Sequence, residues 1–166
     1  MEESPLLFLA GIPCSGKTHF GQWLEGEHGY LHIDAEVQGE LDRVDLREVW
    51  ETACANQDCS ALAAALRARG APAIFNWGFP PACLPVAAAL KRAGFSSWWF
   101  AGDHAAARRE HALLGRSTED FDIQWAAIQS QFQQIAALFH PNIVTVLGAK
   151  GERMTPQEIL QRIQGG

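Results

Sequence analysis

One short segment near the N-terminus constrains this chain more than any other. Residues 6–10 form an apolar run, LLFLA, and the eight residues that follow read GIPCSGKT. These eight satisfy the pattern G-x-x-x-x-G-K-[ST], and a helical pattern comes after them. Glycines let the backbone curl until successive N–H groups point at one anion, and the following helix directs its positive end at the same place. The segment therefore predicts a loop that binds the phosphates of a nucleoside triphosphate.

The residue types in this loop have separate chemical tasks. The ammonium group of Lys17 is placed to reach the β- and γ-phosphates, and the hydroxyl of Thr18 is a ligand for Mg²⁺. Main-chain N–H groups along the loop cradle the phosphates. The predicted nucleotide-binding residues of the loop are Gly11, Ile12, Pro13, Cys14, Ser15, Gly16, Lys17 and Thr18. The guanine-recognition pattern N-K-x-D does not occur in the sequence, so ATP is expected rather than GTP.

Apolar runs of strand length alternate with helical patterns along the chain. The predicted strands are Leu6–Ala10, Tyr30–Asp34, Ala73–Trp77, Phe95–Ala101 and Ile143–Leu147. The predicted helices are Gly16–Gly26, Arg47–Arg69, Pro81–Ala93, His104–Gly115, Glu119–Phe139 and Thr155–Ile163. Strands separated by helices form a parallel sheet covered on both faces, and ligands bind at the carboxyl ends of such strands. We therefore expect one α/β domain over residues 1–166, with functional residues at the strand ends.

Two polar residues close predicted strands. Asp34 ends the second strand, YLHID. A carboxylate there can accept the proton of an attacking hydroxyl or hold Mg²⁺ through water, and a helix cap or solvated strand end is the structural alternative. Asn76 is the last residue but one of the third strand, at the position where a metal-binding aspartate is expected in phosphate-loop proteins. Because Asn76 adds no charge, Mg²⁺ would rest on Thr18, the phosphates and Asp34.

The loop GIPCSGKT, an acidic residue closing the second strand and a short basic helix late in the chain resemble the small P-loop kinases. That group includes gluconate and shikimate kinases, polynucleotide 5′-hydroxyl kinases, chloramphenicol phosphotransferase and zeta-toxin-like kinases. The nearest likeness is to bacterial ATP-binding proteins of the AAA_33 type. The resemblance implies a three-layer P-loop NTPase fold with a five-stranded parallel sheet, order 2-3-1-4-5, flanked by helices and with a small helical lid. It also implies that Asp34 binds or deprotonates the acceptor.

The same resemblance points to two further groups of residues. A lid that closes over ATP is expected near residues 103–118, where DHAAARREHALLGR offers Arg108, Arg109 and Arg116. Guanidinium groups stabilise charge on the transferred phosphoryl group, whereas the alternative is a solvated basic helix face. Arg116 is the first choice, and Arg109 or Arg108 the second. After the fifth strand, Gly148, Ala149 and Lys150 are expected to border the adenine.

These features together predict a kinase, a phosphotransferase that uses ATP and Mg²⁺ to phosphorylate a hydroxyl of a small-molecule acceptor. Two alternatives stay open. One is a nucleotide-binding switch or slow ATPase acting through a protein partner, favoured by Asn76. The other is a polynucleotide 5′-hydroxyl kinase, against which the net charge of −6 argues because nucleic-acid surfaces are usually basic. The acceptor and the oligomeric state have no code in the sequence.

The remaining composition bounds the setting. No run reaches the ~20 apolar residues of a membrane span, so no membrane partner is expected. The N-terminus, MEESP, lacks the basic-then-apolar layout of a secretory signal. Four cysteines show no metal-ligand spacing and are expected to be reduced thiols, which favours a cytoplasmic location.

Overall fold

The computed structural model describes residues 3–166, which contain a five-stranded parallel sheet. The strands are β1 (Leu6–Gly11), β2 (Leu31–Asp34), β3 (Ala73–Asn76), β4 (Ser96–Gly102) and β5 (Ile143–Leu147). Their spatial order is β2-β3-β1-β4-β5. Both the predicted order and the five predicted strands are confirmed, each strand to within one residue at either end. Every residue of β1 is buried, as expected for a strand covered on both faces.

Helices connect the strands. The α-helices of the described residues are α1 (Lys17–His28), α2 (Glu40–Arg43), α3 (Arg47–Asn56), α4 (Ser60–Arg67), α5 (Leu84–Arg92), α6 (His104–Leu113), α7 (Thr118–Ser130), α8 (Phe132–Phe139) and α9 (Pro156–Gly165). A 3₁₀ turn, Pro81–Cys83, precedes α5, so the helix predicted from Pro81 begins later. The short helix α2 was not predicted from the sequence. No helix of residues 3–166 is long and apolar enough to cross a membrane.

The helix predicted over Arg47–Arg69 is wrong as a single element, because the chain breaks it into α3 and α4. Gln57 adopts a left-handed conformation, with φ of 52°, at the C-terminus of α3. The next residue, Asp58, accepts hydrogen bonds on Oδ1 from the backbone N–H of Ser60 at 2.9 Å and from its hydroxyl at 2.6 Å. A short acidic side chain that binds the backbone locally favours a new helix start over continuation.

The helix predicted over Glu119–Phe139 is also divided, into α7 and α8. The division falls at Gln131, whose φ of −124° is outside the helical range. Just before it, the hydroxyl of Ser130 donates to the carbonyl oxygen of Ala127 at 2.8 Å, a local bond that competes with the helix ladder. Of the aromatic side chains along this segment, Phe121 and Phe139 are buried, whereas Phe132 is 44% exposed.

The start of α9 follows the sequence prediction. Thr155 caps the helix by accepting from the backbone N–H of Glu158 at 3.2 Å, and the Glu158 carboxylate accepts from the backbone N–H of Thr155 at 2.7 Å. Pro156 occupies the first helical position, where its missing N–H costs no hydrogen bond. This reciprocal capping satisfies two donors that a helix N-terminus leaves unpaired.

The chain divides into two compact units, each with its own core. The first comprises the chain up to Leu9 together with Thr18–Ser97. Its core includes an aromatic cluster in which Trp50 lies 4.9 Å, between ring centroids, from both Phe75 and Trp77. Each large side chain buried in this way contributes about 1.5–3 kcal/mol to stability.

The second unit comprises Ala10–Lys17 and Trp98–Gly166. Its core includes Phe100 and Phe121, which are fully buried, and Trp99, whose ring centroid lies 5.4 Å from that of Phe139. That the two units form one domain over residues 1–166 stays a prediction.

Candidate nucleotide-binding site

The glycine-rich loop lies between the end of β1 and the start of α1. A Cβ atom at Gly11 would stand 2.5 Å from the carbonyl oxygen of Phe100, which is backbone of β4 and moves only if that strand shifts. The next residue, Ile12, donates its N–H to that same oxygen at 3.0 Å. Gly16 has φ of +86° and Cys14 has φ of +60°, in the region that residues with a Cβ rarely adopt. Close approach at Gly11 and a left-handed turn at Gly16 therefore explain the two fixed glycines of the pattern.

The Lys17 side chain folds over this loop. Its Nζ donates to the carbonyl oxygen of Ile12 at 3.0 Å, to that of Gly11 at 3.3 Å and to the Ser15 hydroxyl at 3.4 Å. Since these acceptors come from both ends of the loop, the ammonium group spans it. Ile12 and Ser15 are buried, and Pro13 is half-buried. Lys17 is also the first residue of α1, so the positive end of the helix lies at the same point.

A second group of residues joins the start of α1 to the end of β2. The Thr18 hydroxyl donates to Asp34 Oδ2 at 2.8 Å, and the backbone N–H of Glu36 donates to Asp34 Oδ1 at 3.0 Å. The Asp34 side chain is buried, with 4% of the residue exposed. The hydrogen bond from Glu36 is the kind that a purely structural carboxylate at a strand end accepts, which is the alternative that the sequence left open. A structural role of that kind does not require the second hydrogen bond, from Thr18. Asp34 is therefore fixed against the Thr18 hydroxyl, which the pattern predicts to be a magnesium ligand.

Asn76, at the end of β3, is committed to a neighbouring imidazole. Its Nδ2 donates to His32 Nε2 at 3.0 Å, and both residues are buried. Burial lowers the pKa of His32, against the opposing charges of Asp34, Glu25 and Glu40. The imidazole is therefore neutral near pH 7 and accepts at Nε2. Asn76, which occupies the position expected for a metal-binding aspartate, thus makes a hydrogen bond between two uncharged side chains of the first unit.

The lowered pKa of His32 predicts that the protein becomes less stable in acid. We expect the free energy of unfolding to fall as the pH drops below about 6.5, because the unfolded chain then binds a proton that the buried imidazole does not. The loss continues down to the lowered folded-state pKa, at up to about 1.4 kcal/mol per pH unit. Urea unfolding at several pH values between 5 and 8 measures this slope.

The matched variants separate His32 from the other histidines. His32→Gln is expected to have a shallower slope than the parent over the same pH range. His19→Gln, at an exposed histidine of α1, is expected to keep the parental slope. Identical slopes in the parent and His32→Gln would show that His32 is not the group responsible.

Helix α6 brings the predicted lid region against the loop within the second unit. Asp103 caps the helix by accepting from the backbone N–H of Ala106 at 2.9 Å. His111, in the last turn, is only 5% exposed, and its Nδ1 lies 3.7 Å from the Cys14 sulfur. The backbone N–H of Arg116 donates to the His111 carbonyl oxygen at 3.2 Å, which closes the turn after the helix. His111 was not identified from the sequence.

The pKa of the Cys14 thiol depends on burial and on the cations near the loop. Burial raises its pKa, and the charges of Arg116, Lys17 and Arg153 oppose that shift in decreasing order. The thiol is therefore protonated near pH 7 and serves as a packing group rather than a nucleophile. The strongest of these opposing charges belongs to Arg116, the lid arginine preferred from the sequence.

The other two lid arginines have different partners. Arg108 makes a two-pronged ion pair with Asp122, at 2.8 and 3.0 Å, on the exposed surface of α6 and α7. Arg109 Nη2 donates to the carbonyl oxygen of Ala149, after β5, at 3.3 Å. A role for either guanidinium in phosphoryl transfer stays a prediction.

The turn after β5 is held by its own hydrogen bonds. Gly148 donates its N–H to the Glu152 carbonyl oxygen at 2.8 Å, and its own carbonyl oxygen accepts from Gly151 at 3.0 Å. The backbone N–H of Lys150 donates to Glu152 Oε2 at 2.8 Å. That Gly148 and Lys150 contact adenine stays a prediction.

One arginine of this site was missed entirely. Arg153 Nη2 donates to the carbonyl oxygen of Cys14 at 2.8 Å and lies 3.6 Å from Glu110 Oε2 of α6. No local pattern marks Arg153, because its loop partner is 139 residues away in the chain.

All four cysteines are free thiols, as predicted.

A parallel sheet of order 2-3-1-4-5, a glycine-rich turn after its first strand and flanking helices define the α/β P-loop fold. The solved structure of a gluconokinase from Sinorhizobium meliloti 1021 has this fold, with a TM-score of 0.57 and 13% sequence identity. The similarity covers 99% of this chain and 92% of that one. No family model matches the sequence, and no curated protein does. The likeness therefore shows the α/β P-loop fold, and membership of the AAA_33 type stays a prediction.

Proposed function

We propose that this chain is an ATP-dependent phosphotransferase that transfers the γ-phosphoryl group of ATP to a hydroxyl of a small molecule. The observation that carries the proposal is the 2.8 Å hydrogen bond between the Thr18 hydroxyl and Asp34. Thr18 directly follows Lys17, whose ammonium group lies over the glycine-rich loop. Thr18 and Asp34 thus bring a candidate metal ligand and a candidate acid–base group into direct contact.

The donor set around Thr18 fits Mg²⁺. Hard oxygen ligands suit this ion, and two neighbouring ligands of an octahedron at 2.0–2.1 Å from it stand about 2.9 Å apart. The Thr18 and Asp34 oxygens are 2.8 Å apart. Among residues 3–166 there is no cluster of three His, Cys, Asp or Glu side chains that could hold a metal alone. Water and phosphate oxygens would therefore complete the shell, as is usual for Mg²⁺.

The protein side chains then divide the work. The loop amides and Lys17 bind and orient the triphosphate, and Mg²⁺ held by Thr18 and Asp34 would neutralise charge that builds between the phosphates. Asp34 orients Thr18 and receives the proton of the acceptor hydroxyl. Arg116, whose charge reaches the loop at Cys14, stabilises the transferred group.

ATP turnover across a panel of hydroxyl compounds tests this proposal. Sugar acids open the panel, because one solved structure that shares this fold is that of a gluconokinase. We expect at least one acceptor to stimulate ATP consumption, and Asp34→Asn to lower that rate by 10²-fold or more, as removal of a general base does. Asp120→Asn, in the exposed first turn of α7, is the control and should match the parent. Equal rates for Asp34→Asn and the parent would remove Asp34 from the mechanism.

A nucleotide-binding switch or slow ATPase is the second candidate. The observation that favours it is the neutral Asn76–His32 hydrogen bond at 3.0 Å, where an acidic residue would strengthen metal binding. Slow ATP hydrolysis that no acceptor stimulates would support this candidate. A polynucleotide 5′-hydroxyl kinase is the weakest, and salt-sensitive binding of an oligonucleotide would be needed to support it.

A further inference from the structure

The backbone at Arg153 is held rigidly beside β5. Leu147 and Arg153 form an antiparallel bridge, and the backbone N–H of Met154 donates to the Val146 carbonyl oxygen at 2.9 Å. The turn between them is closed by the bond from Gly148 to the Glu152 carbonyl oxygen at 2.8 Å. Because both sides of the turn are hydrogen-bonded, the backbone of Arg153 is fixed in position.

From this position the guanidinium group lies against the glycine-rich loop. Arg153 Nη2 donates to the Cys14 carbonyl oxygen at 2.8 Å. The left-handed conformation of Cys14 sets the direction of its carbonyl, since a residue with φ of 60° turns the chain sharply. The other terminal nitrogen, Nη1, would stand 3.5 Å from a Cβ placed on Gly16. The guanidinium therefore reaches both Cys14 and Gly16, the part of the loop that leads into α1.

Arg153 has one acidic partner in the described residues, Glu110 of α6. The distance from Nη2 to Glu110 Oε2 is 3.6 Å, and the two side chains are 36% and 39% exposed. A partly exposed ion pair of this length is weak. A guanidinium group has five N–H donors in a planar fork, and the contacts to Cys14 and Glu110 both use Nη2. Donors at Nε and Nη1 are thus available to a further anion.

We propose that Arg153 is a nucleotide-binding residue that donates to the phosphates of ATP, with Glu110 as its counter-ion beside the loop. The inference rests on the proposed nucleotide site and adds a cation from outside the glycine-rich pattern and the lid. Polyphosphate carries more charge than a carboxylate and accepts both prongs of a guanidinium fork, so it outcompetes Glu110. The charge of Glu110 then opposes nucleotide binding.

Isothermal titration of the full chain with a non-hydrolysable ATP analogue and Mg²⁺ tests this directly. We expect Arg153→Gln to weaken binding tenfold or more and Arg153→Lys to weaken it less. Glu110→Gln is expected to tighten binding two- to threefold, since it removes the competing charge. Arg162→Gln, at an exposed arginine of α9, removes the same charge away from the loop and should stay within twofold of the parent.

The expected changes in affinity have opposite signs in Arg153→Gln and Glu110→Gln, and this difference separates a role in nucleotide binding from a structural role. If Arg153 and Glu110 only hold α6 to the turn after β5, both glutamine variants lose affinity together and both melt at lower temperature than the parent. That outcome, or unchanged affinity in Arg153→Gln, would overturn the inference.

The same titrations distinguish this inference from the proposed function. If Lys17→Ala abolishes binding while Arg153→Gln binds as the parent does, only the role of Arg153 fails. If Arg153→Gln weakens binding but no acceptor stimulates turnover, the inference stands and phosphoryl transfer fails. A parent chain without affinity for the analogue contradicts both.

Discussion

Replacing Lys17 with alanine is expected to lower acceptor-stimulated ATP turnover by about 10³-fold and to weaken binding of Mg²⁺–ATP. The reason is the position of its ammonium group, which bonds the carbonyl oxygens of Gly11 and Ile12 at 3.3 and 3.0 Å and so lies over the loop. A fixed charge at the transferred phosphates is worth two to three orders of magnitude or more in rate. Initial-rate kinetics with the best acceptor, together with titration of the ATP analogue, measure the two effects.

Lys91→Ala is the matched control for Lys17→Ala. Lys91 is an exposed lysine in the last turn of α5, so its removal changes the net charge by the same amount. We expect it to keep the turnover of the parent. Parental turnover in Lys17→Ala would contradict the phosphate-loop interpretation, and every role assigned to nearby residues would lose its basis.

Replacing Gly11 with alanine is expected to destabilise the fold by about 3 kcal/mol or more, the upper range for overpacking a buried site. The added Cβ would stand 2.5 Å from the Phe100 carbonyl oxygen, 3.0 Å from the Phe100 nitrogen and 2.8 Å from its Cβ. Two of these atoms are backbone, so relief requires β4 to shift. Chemical denaturation with intrinsic tryptophan fluorescence gives the free energy of unfolding.

Gly26→Ala provides a control with the opposite sign. Gly26 lies inside α1, and a Cβ there would meet nothing within 4 Å. Alanine at an open helical position is expected to stabilise the protein by about 0.5–1 kcal/mol. Equal effects of the two substitutions would show that the loop tolerates a side chain at Gly11, contrary to the packing described.

The sheet and the phosphate loop were predictable because their signals are local. Each strand is a short apolar run, and alternation with helices predicts a parallel sheet. The strand order 2-3-1-4-5, which the sheet has, was implied only by the resemblance to the small P-loop kinases. The helix breaks were not predicted, because they depend on single residues such as Gln57 and Ser130 that also occur inside helices. Periodicity alone does not separate one long helix from two short ones on the same face.

The candidate site was predictable in part, for the same reason. Lys17, Thr18 and Asp34 follow from a motif and a strand end. The bonds from Asn76 to His32, from Cys14 to His111 and from Arg153 to Cys14 join residues 44, 97 and 139 positions apart. Such pairings are set by how the elements pack, so no local pattern in the sequence marks them.

The register of β2 and β3 places Asp34 directly opposite Asn76. A carboxylate at the end of either strand would therefore place its negative charge at the same carboxyl end of the sheet. Here the charged partner of Thr18 comes from β2. A motif search that demands an acid at the end of the third strand would discard this chain, whereas one that accepts it at either tip would retain it.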